Sequence, residues 1–240
     1  MLAEAMVLQN ADLNLLVYNA LSFGTAVMLG AFVYFLTQVG AVSMAYRSAV
    51  ASSAVVVGIA GYHYYRIWSA WAGGSMNEGY RYADWLITVP LLVVELLIVL
   101  GVTADRRRSL MTTLVPATAL MIGLGYPGEV SSNNSTKWLF WILAMLPYVY
   151  ILFTLMGELK AAKSRETGQI AGLINTATTV LLVTWLVYPI TYLFPVIFTY
   201  PNDGAEAARQ LGYTVADITA KALYGVVVVS IAKARSGNQH

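Results

Sequence analysis

Apolar residues run along this chain in seven long blocks, near 11–37, 46–71, 80–101, 109–130, 138–159, 170–198 and 211–232, each interrupted by few polar positions. A helix rises about 1.5 Å per residue, so roughly 20 residues cross a hydrocarbon layer about 30 Å thick. Every block meets that length. The blocks are apolar nearly all round rather than along one stripe, which argues against a soluble helical core. Barrel strands would instead alternate over about 10 residues. The pattern predicts an all-α fold, a seven-transmembrane-helix bundle filling residues 1–240 as one domain, because the connections are too short for a second. The first block has no basic leader and outruns a signal peptide, so it is read as the first mature helix.

Composition supports a multi-pass membrane protein: of 240 residues, 58% are hydrophobic and only 11% charged. Cysteine is absent, which removes disulfides and thiolate chemistry. Arg47, Arg106, Arg107, Arg108, Lys160, Lys163, Arg165, Lys233 and Arg235 fall on one side of the seven spans, and only Lys137 and Arg209 on the other. By the positive-inside rule the C-terminus is cytoplasmic and the N-terminus outside. The formal net charge of +2 reflects this bias and gives no argument for nucleic acid. The expected partner is the lipid bilayer of a cell (plasma or inner) membrane. A metal site is not expected, since His63 is joined only by His240.

The few ionisable residues inside the spans carry the chemistry. Lys221 lies near the middle of the seventh block with Asp217 four residues before it, on the same helical face. A buried amine costs about 2.5–3.5 kcal/mol on insertion scales, so it has a partner or a task. In the third block Arg81, Asp84, Thr88 and Glu95 line roughly one stripe, with Asp84 and Glu95 about 16 Å apart in depth. In the predicted orientation Asp84 and Arg81 lie toward the exterior, Lys221 at mid-depth, and Glu95 toward the cytoplasm. That is the order of a proton relay: acceptor, carrier, donor. Asp84, beside Arg81 and Lys221, is expected to stay ionised, and Glu95, in apolar surroundings, to be neutral at rest. An ion cluster serving stability alone would leave Glu95 unexplained. His63, on the second helix, reaches the same outer half as Asp84.

Trp85, Trp141, Trp185, Tyr188 and Tyr192, with Gly125 and Pro189, converge at the depth of Lys221 and would enclose a flat, elongated apolar ligand.

On these residues the chain resembles the microbial (type 1) rhodopsins, specifically the proton pumps of the proteorhodopsin and xanthorhodopsin group. The likeness spans nearly the whole chain and rests on Gly61-Tyr62-His63-Tyr64, Arg81 through Glu95, Met121 through Val130, Leu146 through Leu152, Tyr188 through Tyr192, and Gly212 through Lys233. It implies all-trans retinal on Lys221 as a Schiff base, Asp84 as proton acceptor, Asp217 as second counterion and Glu95 as cytoplasmic donor. Arg81 would separate the acceptor from the exit path and His63 would pair with Asp84. Trp85, Thr88, Leu92, Met121, Gly125, Trp141, Trp185, Tyr188, Pro189 and Tyr192 would line the retinal pocket, with Leu92 where green-absorbing members carry leucine. The likeness also implies a homo-oligomer.

Two departures from the family pattern carry expectations. Members that hold a carotenoid antenna have glycine where this chain has Trp141, which argues against a second chromophore. Haloarchaeal pumps carry a glutamate at the position of Arg209, so early proton release from a glutamate pair is not expected.

The set Asp84, Thr88 and Glu95 points to an outward proton pump, a transporter rather than an enzyme. Chloride and sodium pumps of the family differ at these three places. The alternative is a sensory photoreceptor signalling through a membrane partner, a class that usually lacks the donor carboxylate.

Overall fold

In the computed structural model, which describes residues 6–198 and 202–237, seven helices are long and apolar enough to cross a membrane: α1 Ala11–Ala41, α2 Met44–Ala72, α3 Gly79–Val99, α4 Ala104–Glu129, α5 Asn134–Arg165, α6 Gly168–Ile197 and α7 Asp203–Gly237. Sequential neighbours pack together from α1 to α6, and α7 packs against α1, α2, α3 and α6. The chain therefore wraps round α7, and α3 and α7 bring their polar stripes together. Burial follows this arrangement. Two-thirds of the apolar stretch of α7 is buried (67%) against only 17% for α5, whose outward residues Leu146 and Phe153 stand exposed as expected for a lipid-facing helix.

Helices α5 and α7 run past the apolar blocks at both ends, because their polar termini find caps and partners. Asn133 accepts from the amides of Ser135 and Thr136 to start α5, and Asn202 accepts from the amide of Ala205 to start α7. Helix α6 breaks after Tyr192 and resumes briefly at Phe194–Ile197. Lys137 and Arg209, read above as flanking charges, are instead largely buried, at 8% and 7% exposure.

Two glycines allow close approaches. Gly101 ends α3 with φ +67°, and the Arg235 guanidinium lies over it, 3.3 Å from where a Cβ would stand. Arg235 Nη2 also reaches Glu166 Oε1 at 2.7 Å and the Leu100 carbonyl at 3.3 Å, strapping the end of α7 to the end of α3 and to the α5–α6 turn. Gly125 of α4 leaves room for Tyr82, whose Oη would lie 3.2 Å from an added Cβ.

Candidate functional site: a buried lysine between two aspartates

Around Lys221 the helix widens into a π-helical turn, Ile218–Leu223. Such turns interrupt the ordinary ladder and recur at functional sites. The Lys221 side chain is 1% exposed, and its Nζ stands 2.5 Å from Asp84 Oδ2 and 2.8 Å from Asp217 Oδ1. The two aspartates come from different helices and are held very differently.

Asp217 is saturated. Its Oδ1 accepts from Trp85 Nε1 at 3.0 Å and Tyr188 Oη at 2.9 Å besides the lysine, and its Oδ2 from Tyr64 Oη at 2.9 Å and Arg81 Nη1 at 3.4 Å. Asp84 has Lys221 alone on Oδ2, and its buried Oδ1 has no partner. An ionised carboxylate has about four acceptor positions, so Asp217 uses its capacity while Asp84, with a single donor, leaves most of it open.

Arg81 was expected beside Asp84, three residues along its own helix. It turns instead across the bundle, with Nη1 on Tyr64 Oη at 3.1 Å and on Asp217, and Nη2 on Gln210 Oε1 at 2.8 Å. The guanidinium also lies over the rings of Tyr213 and Tyr64, 5.2 and 5.5 Å from their centroids. The α7 face offers it a carboxylate, an amide and the Tyr213 ring, and α2 adds Tyr64, which a single aspartate one turn away does not. His63 likewise departs from expectation. Its Nδ1 meets the Ile59 carbonyl of its own helix at 3.0 Å, and no hydrogen bond to Asp84 occurs among the described residues. Thr88 Oγ1 donates to the Asp84 main-chain carbonyl at 2.9 Å, not to the carboxylate.

Beyond Arg81 lies a polar cluster that sequence reading missed. Gln210 Nε2 donates to Glu78 at 2.8 Å and Glu206 at 2.9 Å, and Arg209 Nη2 to the same two oxygens at 2.9 and 2.8 Å. Arg209 Nη1 pairs with Glu129 Oε1, and Glu129 Oε2 accepts from Tyr82 and Tyr213, both at 3.0 Å. A position read as replacing one glutamate thus gathers three. Only Glu206, one turn before Arg209, was visible as a spacing.

On the other side of Lys221, Glu95 is fully buried. Ser53 Oγ of α2 donates to its Oε2 at 2.8 Å, and Oε1 has no partner. Ser53 had no signal in the sequence beyond its presence on an apolar helix.

A cavity with about 770 Å³ of empty space, partly open at its mouth, ends on Lys221. Its walls include Trp85, Leu92, Met121, Gly125, Trp141, Trp185, Tyr188, Pro189 and Tyr192, and also Tyr82, Val89, Ile122, Ala144, Met145, Tyr148, Tyr213 and Ala220, which were not singled out. Thr88 lies outside this wall set. Trp141 Nε1 donates to the Pro189 carbonyl at 3.0 Å, closing the α5–α6 seam. The apolar, aromatic lining suits a small apolar ligand.

A seven-helix bundle around a buried lysine with two carboxylates defines a retinal-type photoactive membrane protein, and the comparisons agree. The chain belongs to the family described as "Bacteriorhodopsin-like protein", which it matches over residues 17–234. It is 30% identical to the green-light absorbing proteorhodopsin of Gamma-proteobacterium EBAC31A08, across 95% of this chain and 91% of that one. It is also 30% identical to archaerhodopsin-3 of Halorubrum sodomense, across 87% and 82%. Among solved structures, xanthorhodopsin, described as a light-driven ion pump with dual chromophore, superposes with a TM-score of 0.89 at 41% identity over 95% of this chain and 96% of that one. Thermophilic rhodopsin gives 0.89 at 39% over 100% and 99%.

The protein is a multi-pass cell-membrane protein whose family members carry retinal as a Schiff base on a lysine. At family level the relatives are light-driven proton pumps. The residues present fit the group: an apolar, aromatic-walled cavity terminates on a single buried amine flanked by counter-charges.

Proposed function

We propose that this chain is a light-driven outward proton pump in which Lys221 carries the retinal, Asp84 accepts the proton, Asp217 remains the fixed counterion and Glu95 returns a proton from the cytoplasmic side. Bound retinal supplies a cationic imine whose hold on its proton weakens when light twists the polyene.

The observation that carries the reading is the unequal pair of aspartates. A carboxylate whose four positions are filled by donors gains little from a proton, and would lose hydrogen bonds by taking one. Asp217 is in that state. Asp84, with Oδ2 nearest the lysine nitrogen and Oδ1 open, is the better acceptor. Arg81, bonded to Asp217 and Gln210, holds a positive charge beside Asp217 that favours its ionised form, and links it to the Gln210, Glu78 and Glu206 cluster.

Glu95 keeps its proton among apolar side chains, with one serine hydroxyl on Oε2. It lies on the opposite side of Lys221 from Arg81. The excess of basic residues at one set of helix ends supports a cytoplasmic Glu95 side and an outer N-terminus, and with them an outward direction. The whole of residues 1–240 acts as one unit, in a homo-oligomer. Trp141, tied to Pro189, argues against a carotenoid antenna.

The test is expression with retinal in cells and recording of external pH. Illumination acidifies the medium, an uncoupler abolishes the signal, and Lys221→Ala removes both signal and visible colour. Alkalinisation, or acidification that survives in Lys221→Ala, would overturn the reading. A cycle lasting seconds and indifferent to Glu95→Gln would favour a sensory photoreceptor.

A further inference from the structure

Two buried oxygens on the Glu95 side of the lysine have no hydrogen-bond partner: Glu95 Oε1 and Tyr224 Oη. Tyr224 follows Lys221 by three residues and stands just past the π-helical turn, 3% exposed. It lines a small apolar gap with Leu92, Leu96, Leu181, Trp185 and Ala220, and three of these, Leu92, Trp185 and Ala220, also wall the Lys221 cavity. Tyr224 therefore stands one turn past the lysine along α7, against the stretch of α3 that carries Glu95. Leu92 and Leu96, which share this gap with Tyr224, flank Glu95 on α3.

A buried hydroxyl without a partner is costly, and two in one apolar layer call for an explanation. Protonated Glu95 needs little from its surroundings: Ser53 donates to Oε2, and Oε1 carries the proton. Once that proton leaves, both oxygens become acceptors only. Ser53 still serves Oε2, and a donor for Oε1 is then required.

We infer that Tyr224 is a positioning residue for Glu95, its hydroxyl donating to Oε1 only after Glu95 has given its proton toward Lys221. The inference rests on the reading of Glu95 as proton donor. The proton leaves Glu95 Oε1 and arrives at the Lys221 nitrogen, while Tyr224 keeps its own proton throughout. Ser53 and Tyr224 then hold the carboxylate between them until a cytoplasmic proton refills it.

The test is infrared spectroscopy of the retinal-bound protein, at rest and after a flash, with Tyr224→Phe, Ser53→Ala and Glu95→Gln. At rest, Ser53→Ala shifts the Glu95 carbonyl band and Tyr224→Phe does not, because only Ser53 touches the protonated acid. After the flash, Tyr224→Phe shifts the Glu95 carboxylate band and slows loss of the carbonyl band about tenfold, the effect of removing one hydrogen bond to a charged group. In the unsubstituted protein with ring-labelled tyrosine, a tyrosine band moves in step with loss of the Glu95 carbonyl. Were Tyr224→Phe to leave the carboxylate band and rate as they are, or no tyrosine band to move, the inference would be overturned. If Glu95→Gln also left the kinetics unchanged, the donor reading itself would fail.

Discussion

The two sides of Lys221 are built on opposite plans. Toward Arg81, side chains from α2, α3, α4 and α7 form a continuous hydrogen-bonded chain: Tyr64, Asp217, Arg81, Gln210, Glu78, Glu206, Arg209, Glu129, Tyr82 and Tyr213. Toward Glu95, the carboxyl has one hydrogen bond among the described residues, from Ser53, in a layer of leucine and valine. A dense network keeps its geometry and passes charge by small shifts, whereas a sparse apolar layer insulates. One side of the lysine is wired and the other is a barrier crossed at a single carboxyl group. An ion pump needs that inequality, because equal connection to both sides would let the proton run back.

The contrast can be broken at its centre. Asp84→Asn removes the open acceptor while leaving Asp217 saturated, and light-driven acidification is expected to vanish, with the purified protein still coloured. Pumping that persists would mean Asp217 accepts the proton. On the sparse side, Glu95→Gln leaves no donor, and the return of a proton to the lysine is expected to slow by about 10²-fold or more, read from flash-induced absorbance.

On the dense side, Arg209→Leu strands three buried carboxyl groups. Removing one partner from a buried charge cluster costs about 3–5 kcal/mol, visible as a lower temperature for loss of colour. Ser53→Ala takes away one hydroxyl and is expected to cost about 1 kcal/mol of stability by the same assay. The smallest effect is expected at His63. Without a bond to Asp84, His63→Gln should leave both colour and acidification near those of the unsubstituted protein, and a large change in either would show that the two side chains meet during the cycle.

What was legible in the sequence follows from distance along the chain. Seven helices show in seven apolar blocks, and the Asp217–Lys221 pair shows because both lie one turn apart on α7. The Asp84–Lys221 contact was legible in outline, since two polar stripes in an apolar bundle have little else to face. The direction Arg81 takes was not. Glu78 and Asp84 lie equally near in sequence, three residues to either side, and Arg81 keeps Glu78 at 3.7 Å while Tyr64, Gln210 and Asp217, each more distant along the chain, outcompete Asp84. The same holds for the partners of Arg209. Glu78 and Glu129 lie 131 and 80 positions away, so no spacing rule brings them together. Ser53 lies 42 residues from Glu95 and reads simply as a small residue on an apolar helix.

Gly101 has a consequence for the sparse side. With φ +67° it bends the chain in a way few side-chain-bearing residues tolerate, and an added methyl group would press on the Arg235 guanidinium. That guanidinium is the knot joining three helix ends on the Glu95 side of the bundle. A substitution as small as Gly101→Ala would therefore loosen a seal some distance from any titrating group, and a leak back through the protein in the dark would be its symptom.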